Sequence, residues 1–245
     1  MLLYPVKNIF KMMTEEQIIT ILLNEESRLP ADEELVAFGG YLTPAIILAA
    51  YRQGIFPWPS SSEQPINWVS LNPRLVLYPH NLHISKTMQK LLKKAEWQVR
   101  LDSNFEELIN LCAQQNRKGQ AGTWITQDII KAYSQLHKLG YAHSVECYCA
   151  DKLIGGFYGL SIGRVFFGES MLSLVPNASK FALIKFVNYF KEQGLAFIDC
   201  QQVTGHLQSL GGTVMERPLF KAELSKALNQ TNWQGQWDKL FTAVL

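Results

Sequence analysis

The run AHSVECYCADKLIGGFYGLSIGRVFFGESM, residues 142–171, decides the fold. It reads as three consecutive strands, Ala142–Ala150, Leu153–Ile162 and Arg164–Met171. The turn signals between them are Asp151-Lys152 and Gly163. Links this short can only join antiparallel neighbours. A helix over Ser179–Gln193, stopped by Gly194, and a strand over Ala196–Gln202 follow. Antiparallel strands, then helix and strand, predict an α+β sheet.

Upstream, Thr14 with Gln17 three residues on opens a helix that runs through Ile18 to Leu23. Thr43-Pro44 opens a second helix through Tyr51, and Gly54-Ile55-Phe56-Pro57-Trp58-Pro59 ends it. Ser60–Pro65 is a polar link, and Trp68–Pro73 begins a second region. The expected organisation is a small N-terminal domain over 1–70, with 1–13 as a disordered leader, and a larger domain over 71–245. In the larger domain, Leu75–Tyr78 and Trp97–Leu101 read as strands, and Ser85–Lys94, Phe105–Gln115 and Thr126–Leu139 as helices.

Polar residues interrupt two of the strands. In Phe197-Ile198-Asp199-Cys200-Gln201-Gln202, period two puts Asp199 and Gln201 on one face and Cys200 on the other. By the same rule Glu169 and Met171 share a face. Carboxylates and amides in apolar strands need partners or work. Polar groups in an apolar cleft are the makeup of a small-molecule or reaction site.

Composition bounds the rest. A chain of 245 residues with 47% hydrophobic residues is globular. A net charge of +2 does not by itself point to nucleic acid. No apolar run reaches membrane-spanning length. The four cysteines lack CxxC spacing, so metal binding is not expected, and free thiols fit a reducing cytoplasm.

Lys86, Lys90, Lys93 and Lys94 form one basic stripe on a helix, either a solvated face or a phosphate track. Leu183, Phe186 and Phe190 form an apolar stripe that suits a core or the wall of a pocket; Phe157, Phe166 and Phe167 add aromatic area nearby. Trp58, Trp68 and Trp124 sit in loops or at element ends, as lids over a core or as stacking platforms for bases. His206 follows the Asp-Cys-Gln strand closely, but no His stands in a nucleophile motif. Neither Asn116–Ala121 nor His137–Ala142 carries the leading Gln or Arg of a coenzyme A pyrophosphate loop.

Gly54-Ile55-Phe56-Pro57-Trp58, Leu82-His83-Ile84-Ser85, Gly122-Thr123-Trp124-Ile125-Thr126, Ala142-His143-Ser144-Val145-Glu146, Gly168-Glu169-Ser170-Met171 and Asp199-Cys200-Gln201 occur in this order. Together they make the chain resemble the bacterial leucyl/phenylalanyl-tRNA–protein transferases over roughly Pro30–Phe220. The resemblance implies a small N-terminal domain on a larger GCN5-type N-acyltransferase-like domain with a mostly antiparallel sheet. It also implies a reaction: Leu or Phe, with Met as a further candidate, moves from its tRNA to the N-terminal Arg or Lys of a protein. That mark directs the protein to N-degron proteolysis. Aminolysis of an activated ester needs positioning and a free amine but no enzyme nucleophile, which agrees with the missing nucleophile motifs.

By that resemblance Asp199 and Gln201 are the central catalytic pair, with Asp199 orienting the attacking amine and taking its proton directly or through Gln201. An ordinary Asp with a pKa near ~4 is a weak base, so positioning and electrostatics carry weight. Glu169 holds the aminoacyl end or the positive N-terminal residue. Phe157, Phe166, Met171, Leu183, Phe186 and Phe190 line the side-chain pocket. Tyr51, Trp58, Trp124 and Tyr133 frame the terminal adenosine, and Lys86, Lys90, Lys93 and Lys94 track the tRNA backbone. The implied partners are aminoacyl-tRNA and acceptor proteins; no cofactor, metal, membrane or obligate protein partner is implied, and the setting is cytoplasmic and monomeric. The chain departs from the usual pattern at Asn67–Pro73, at Tyr41 and at Gly205, none of which touches the central residues. Rival readings are a tRNA-dependent transferase with another amine acceptor, a coenzyme A acyltransferase and a non-catalytic tRNA-binding protein.

Overall fold

A computed structural model describes residues 13–58, 64–94, 96–115, 123–242 and 244–245. The expected leader up to residue 12, most of the polar link, residues 116–121 and Gly122 lie outside the described residues.

The N-terminal part begins with α1 (Glu15–Ser27), opened by the expected capping box between Thr14 and Gln17. Next come β1 (Leu35–Phe38), α2 (Pro44–Tyr51), β2 (Phe56–Trp58) and β3 (Asn67–Val69). The strands form a small antiparallel sheet in the order β1-β3-β2. Ile18, Leu22, Val36, Ile46, Ala50, Ile55 and Trp68 pack as its core. Trp68 does not open the second region: it is central in this sheet, and its indole N–H donates to the Gly39 carbonyl at 3.0 Å. Strands of three or four residues are too short to show alternation in a sequence.

The larger part runs β4 (Arg74–Leu77), α3 (Lys86–Lys93), β5 (Trp97–Leu101), α4 (Phe105–Gln114) and α5 (Gln127–Lys138). It continues with β6 (Ala142–Cys149), β7 (Lys152–Ile162), β8 (Val165–Ser173), α6 (Ala178–Glu192) and β9 (Phe197–Gln201). It ends with α7 (Gly205–Gln208), β10 (Thr213–Met215), α8 (Arg217–Leu228) and α9 (Trp237–Leu240). The seven strands order as β10-β4-β9-β8-β7-β6-β5. One core joins the sheet to α2, α4, α5 and α8, and a second joins its other face to α3, α6 and α9.

The sheet is mixed, because β8 and β9 run parallel across the α6 crossover. That pairing extends only from Val165 to Phe167 against Phe197 to Asp199. Beyond it each strand carries a bulge. In β8, Gly168 and Ser170 face consecutive β7 residues, so Glu169 is the extra residue. In β9, Cys200 is the extra residue between the partners of Val76 and Leu75. An extra residue reverses the alternation after it. Met171 therefore packs on the α6 side, while Glu169 reaches tyrosines of α2 and α5. The shared face expected for Glu169 and Met171 is thus corrected.

Candidate active site

Where β8 and β9 part, a cavity of about 610 Å³ opens. Its apolar wall, on the α6 side, is Phe157, Phe166, Met171, Leu183, Ile198 and Leu207. The opposite wall holds Glu169 and Gln201, with Phe56 and Trp58 from β2 and Trp124 from the loop before α5. One gap in the sheet thus joins an apolar chamber to a polar floor rimmed by indoles.

The floor is a chain of hydrogen bonds. Glu169 Oε1 accepts from the Tyr51 hydroxyl at 2.7 Å and from Gln201 Nε2 at 3.2 Å. The Tyr51 and Tyr133 hydroxyls meet at 2.7 Å. Burial pushes the Glu169 carboxyl up to about 7, against the lowering effect of the bonds from Tyr51 and Tyr133; the charge of Asp199 raises it further and that of Arg74 opposes this. Burial, with Glu169 beside them, pushes both phenols well above their ordinary range.

Asp199 lies behind this floor and is fully buried. Arg74 grips it with both arms of its fork, Nε to Oδ1 at 2.9 Å and Nη2 to Oδ2 at 2.7 Å. The Gln201 backbone N–H adds a third bond to Oδ1 at 2.9 Å. Gln201 sits at φ 59°, a left-handed conformation that a non-glycine residue keeps only when its surroundings enforce it. The Asp199 carboxylate is that enforcement, and it aims the Gln201 side chain at Glu169. Arg74 is itself held between the rings of Phe56 and Phe220, 4.9 and 4.7 Å from their centroids.

The structure brings together Glu169, Gln201, Phe157, Phe166, Met171, Leu183, Trp58 and Trp124 around one cavity. It withholds others. Phe186 packs behind Phe157 and Phe166, and Phe190 packs on Trp233, Trp237 and Phe241; neither lines the cavity. Tyr51 and Tyr133 are fully buried, so they brace Glu169 and do not present a face to an adenosine. Asp199 is closed off from the cavity by Arg74 and meets Gln201 at its backbone N–H. Lys86, Lys90 and Lys93 are exposed on α3, and Lys94 is exposed at its C-terminal cap.

Sequence reasoning misses Arg74. An arginine at the head of an apolar strand gives no hint of a partner 125 residues away. Cys200 also lines the cavity, but burial, and after it the charge of Asp199, push its thiol far up, so it is no activated nucleophile. Among the described residues, no group of three His, Cys, Asp or Glu side chains is placed to hold a metal, and no helix is long and apolar enough to cross a membrane.

A mixed sheet whose parted strands hold a carboxylate and an amide against an apolar chamber has the makeup of a reaction site. The leucyl/phenylalanyl-tRNA protein transferase profile matches residues 76–225, and the profile of that family's N-terminal domain matches residues 40–72. The chain belongs to this family. Proteins named leucyl/phenylalanyl-tRNA–protein transferase resemble it closely. That of Syntrophus aciditrophicus is 47% identical over 209 residues, covering 85% of this chain and 87% of its own. That of Aromatoleum aromaticum is 46% identical over 212 residues, covering 86% and 89%. That of Saccharophagus degradans is 44% identical over 226 residues, covering 89% and 92%. Among solved structures, L-PGS from Bacillus licheniformis superposes with a TM-score of 0.36 at 9% identity, over 65% of this chain and 50% of that one, too loosely to define a fold.

Proposed function

We propose that the protein transfers Leu or Phe from aminoacyl-tRNA to the N-terminal Arg or Lys of acceptor proteins, by aminolysis of the ester. The observation that carries this reading is the two-sided cavity. Its apolar wall of Phe157, Phe166, Met171 and Leu183 suits the Leu or Phe side chain. Its indole rim of Trp58 and Trp124 suits the terminal adenosine. The ester then lies in the gap between β8 and β9, beside Gln201 and Glu169. A flexible apolar chamber separates Leu from Phe only weakly, which supports acceptance of both, with Met as a further candidate.

The exposed stripe on α3 supports contact with tRNA phosphates through Lys86, Lys90, Lys93 and Lys94. Asp199 acts through Gln201 as a positioning residue. The larger part reads as a GCN5-type domain, supported by one parallel strand pair parting within an otherwise antiparallel sheet. A domain junction near residue 70 fits the end of the small sheet at Val69 and the start of the large one at Arg74. A monomer working in the cytoplasm, with its products passed to N-degron proteolysis, completes the reading.

The test uses purified protein, tRNA charged with labelled Leu or Phe, and peptides beginning with Arg, Lys or Ala. Label entering only the Arg and Lys peptides is the expected result. Label entering another amine, or none while tRNA still binds, overturns the acceptor rule or the transfer itself.

A further inference from the structure

We propose that Glu169, and not Asp199, carries the proton from the acceptor amine to the leaving ribose hydroxyl. The inference rests on the transfer reading above and names the group that moves the proton. Asp199 cannot reach a substrate. Both of its oxygens are taken by Arg74, one of them also by the Gln201 backbone, and the side chain is fully buried. Glu169 is the sole carboxylate on the cavity wall among the described residues, and it is partly exposed there. It sits on the β8 bulge, in the gap where the ester must lie.

The step balances within the two substrates. The neutral amine attacks the ester carbonyl carbon and a C–N bond forms. The nitrogen, now cationic, gives a proton to the Glu169 carboxylate. The C–O bond to the ribose breaks, and the departing oxygen takes the proton from Glu169. Amide and free tRNA hydroxyl result, and the carboxylate is restored. A group that must act first as base and then as acid works best with a pKa near the working pH. Burial supplies that, placing Glu169 at about 7.

The groups facing Glu169 are Tyr51 of α2, Tyr133 of α5, Asp199 and Gln201 of β9 and Arg74 of β4. The tyrosines are held well above their ordinary range and do not titrate at neutral pH. His206 at the cavity wall is the other group that could take a proton. Burial, and next to it the charge of Lys180, lower its pKa.

The test is single-turnover transfer to an Arg peptide as a function of pH, under conditions that report kcat/KM. Two ionisations are required for the wild-type protein, a neutral amine with a free pKa of about 7.7–8.0 and an ionised Glu169. On the acid side the logarithm of the rate should therefore climb with a slope approaching about two. Glu169→Gln keeps the shape of the side chain. It should lower the rate by roughly 10²–10⁴-fold and leave a slope of about one, with tRNA affinity intact as the check on folding. Tyr51→Phe removes a bond that lowers the Glu169 pKa, so its acid limb should move to higher pH. Asp199→Asn and His206→Gln should each keep the slope of two at whatever rate remains. A slope unchanged in Glu169→Gln, or a second ionisation lost in His206→Gln or Asp199→Asn instead, overturns the proposal while leaving the transferase reading standing. Absence of transfer by the wild-type protein sinks that reading itself.

Discussion

Among the described residues, two polar clusters on the same sheet invite comparison, one lining the cavity and one packed under a tryptophan. On β8 and β9, Glu169 and Gln201 open on 610 Å³ of space, with Asp199 and Arg74 behind them. On β6, His143, Ser144 and Glu146 gather around the loop that carries Asp102. Asp102 accepts from His143 Nδ1, from the Ser144 N–H and from the Trp237 N–H, each at 2.9 Å. Glu146 accepts from the Asn104 N–H at 2.9 Å and the Ser144 hydroxyl at 2.6 Å. The Trp237 ring lies flat on His143, 3.8 Å away, and closes the cluster. Each group holds one fully buried carboxylate, Asp199 in the first and Glu146 in the second. What differs is the path of the strands: β6 stays paired on both sides through a register shift at Cys147, whereas β8 and β9 part beyond Phe167 and Asp199. Burial of a carboxylate therefore marks a place that needs partners, and the parting of neighbouring strands gives the open cluster its cavity.

The largest effect is expected at the open cluster. Asp199→Ala releases Gln201 from its left-handed conformation and leaves Arg74 charged and unpaired. We expect transfer to fall by about 10²-fold or more as positioning fails. Breaking a buried pair this way should also destabilise the fold by about 3–5 kcal/mol. The measurement is single-turnover transfer well below the melting temperature, with tRNA binding in parallel. Full turnover in that variant would break the contrast, since the open cluster would then be as passive as the closed one.

How much of this difference can be read from a sequence depends on its range. The long strands β6 to β8 show as near-continuous runs bounded by turn residues, and the helices α1 to α6 start within a residue or two of the expected positions. Asp199, Gln201 and Glu169 stand out because they are polar in apolar runs. The bulge at Glu169 leaves no local trace, so alternation alone puts Met171 on the wrong side of the sheet. Phe186 and Phe190 share the helical spacing of Leu183, and that spacing cannot tell a pocket wall from a core. The decision comes from Trp233 and Trp237, more than forty residues later, which cover Phe190. Arg74 is silent for the same reason: its meaning lies wholly in a distant partner.

A smaller effect is expected on the outer surface. Replacing Lys90, Lys93 and Lys94 with Ala should weaken tRNA binding by about 10-fold at low salt, with the slope of affinity against salt falling by roughly 0.7–0.9 for each phosphate no longer neutralised. Turnover of bound tRNA should hold. An unchanged salt slope would return the stripe to a plain solvated face. The chamber sharpens the contrast further. Leu183→Ala enlarges it, and the preference for Phe over Leu should rise by up to about 10-fold. Phe190→Leu should leave that preference alone, because Phe190 packs against Trp237 and not against the cavity. Competition between the two charged tRNAs reads both variants.

The smallest effect on transfer is expected at the closed cluster, and it is the sharpest test of the contrast. Burial alone would raise the pKa of Asp102, but the bond and charge of His143 and the N–H groups of Trp237 and Ser144 outweigh it and hold the carboxyl below its ordinary range. A carboxyl depressed in the folded state adds stability above its unfolded pKa of about 3.9, and that stability is lost as the pH falls through the lower folded value. His143 is lowered by burial, against the raising effect of Asp102, so the folded protein refuses a proton that the unfolded chain accepts below about pH 6.5. The share of stability owed to Asp102 and His143 should therefore decline in two stages on acidification, first through the histidine window and then below the carboxylate range, while Glu146 and Glu169, both raised by burial, add stability over the first window. Asp102→Asn places an amide where an acceptor met three donors. We expect it to cost roughly 2–3 kcal/mol and to erase the second stage. Transfer at pH 7, measured below the variant's melting temperature, should stay within about twofold of wild type. A large loss of transfer in a folded Asp102→Asn protein would mean that the two clusters communicate through β7 and β8, and the closed cluster would then belong to the active site.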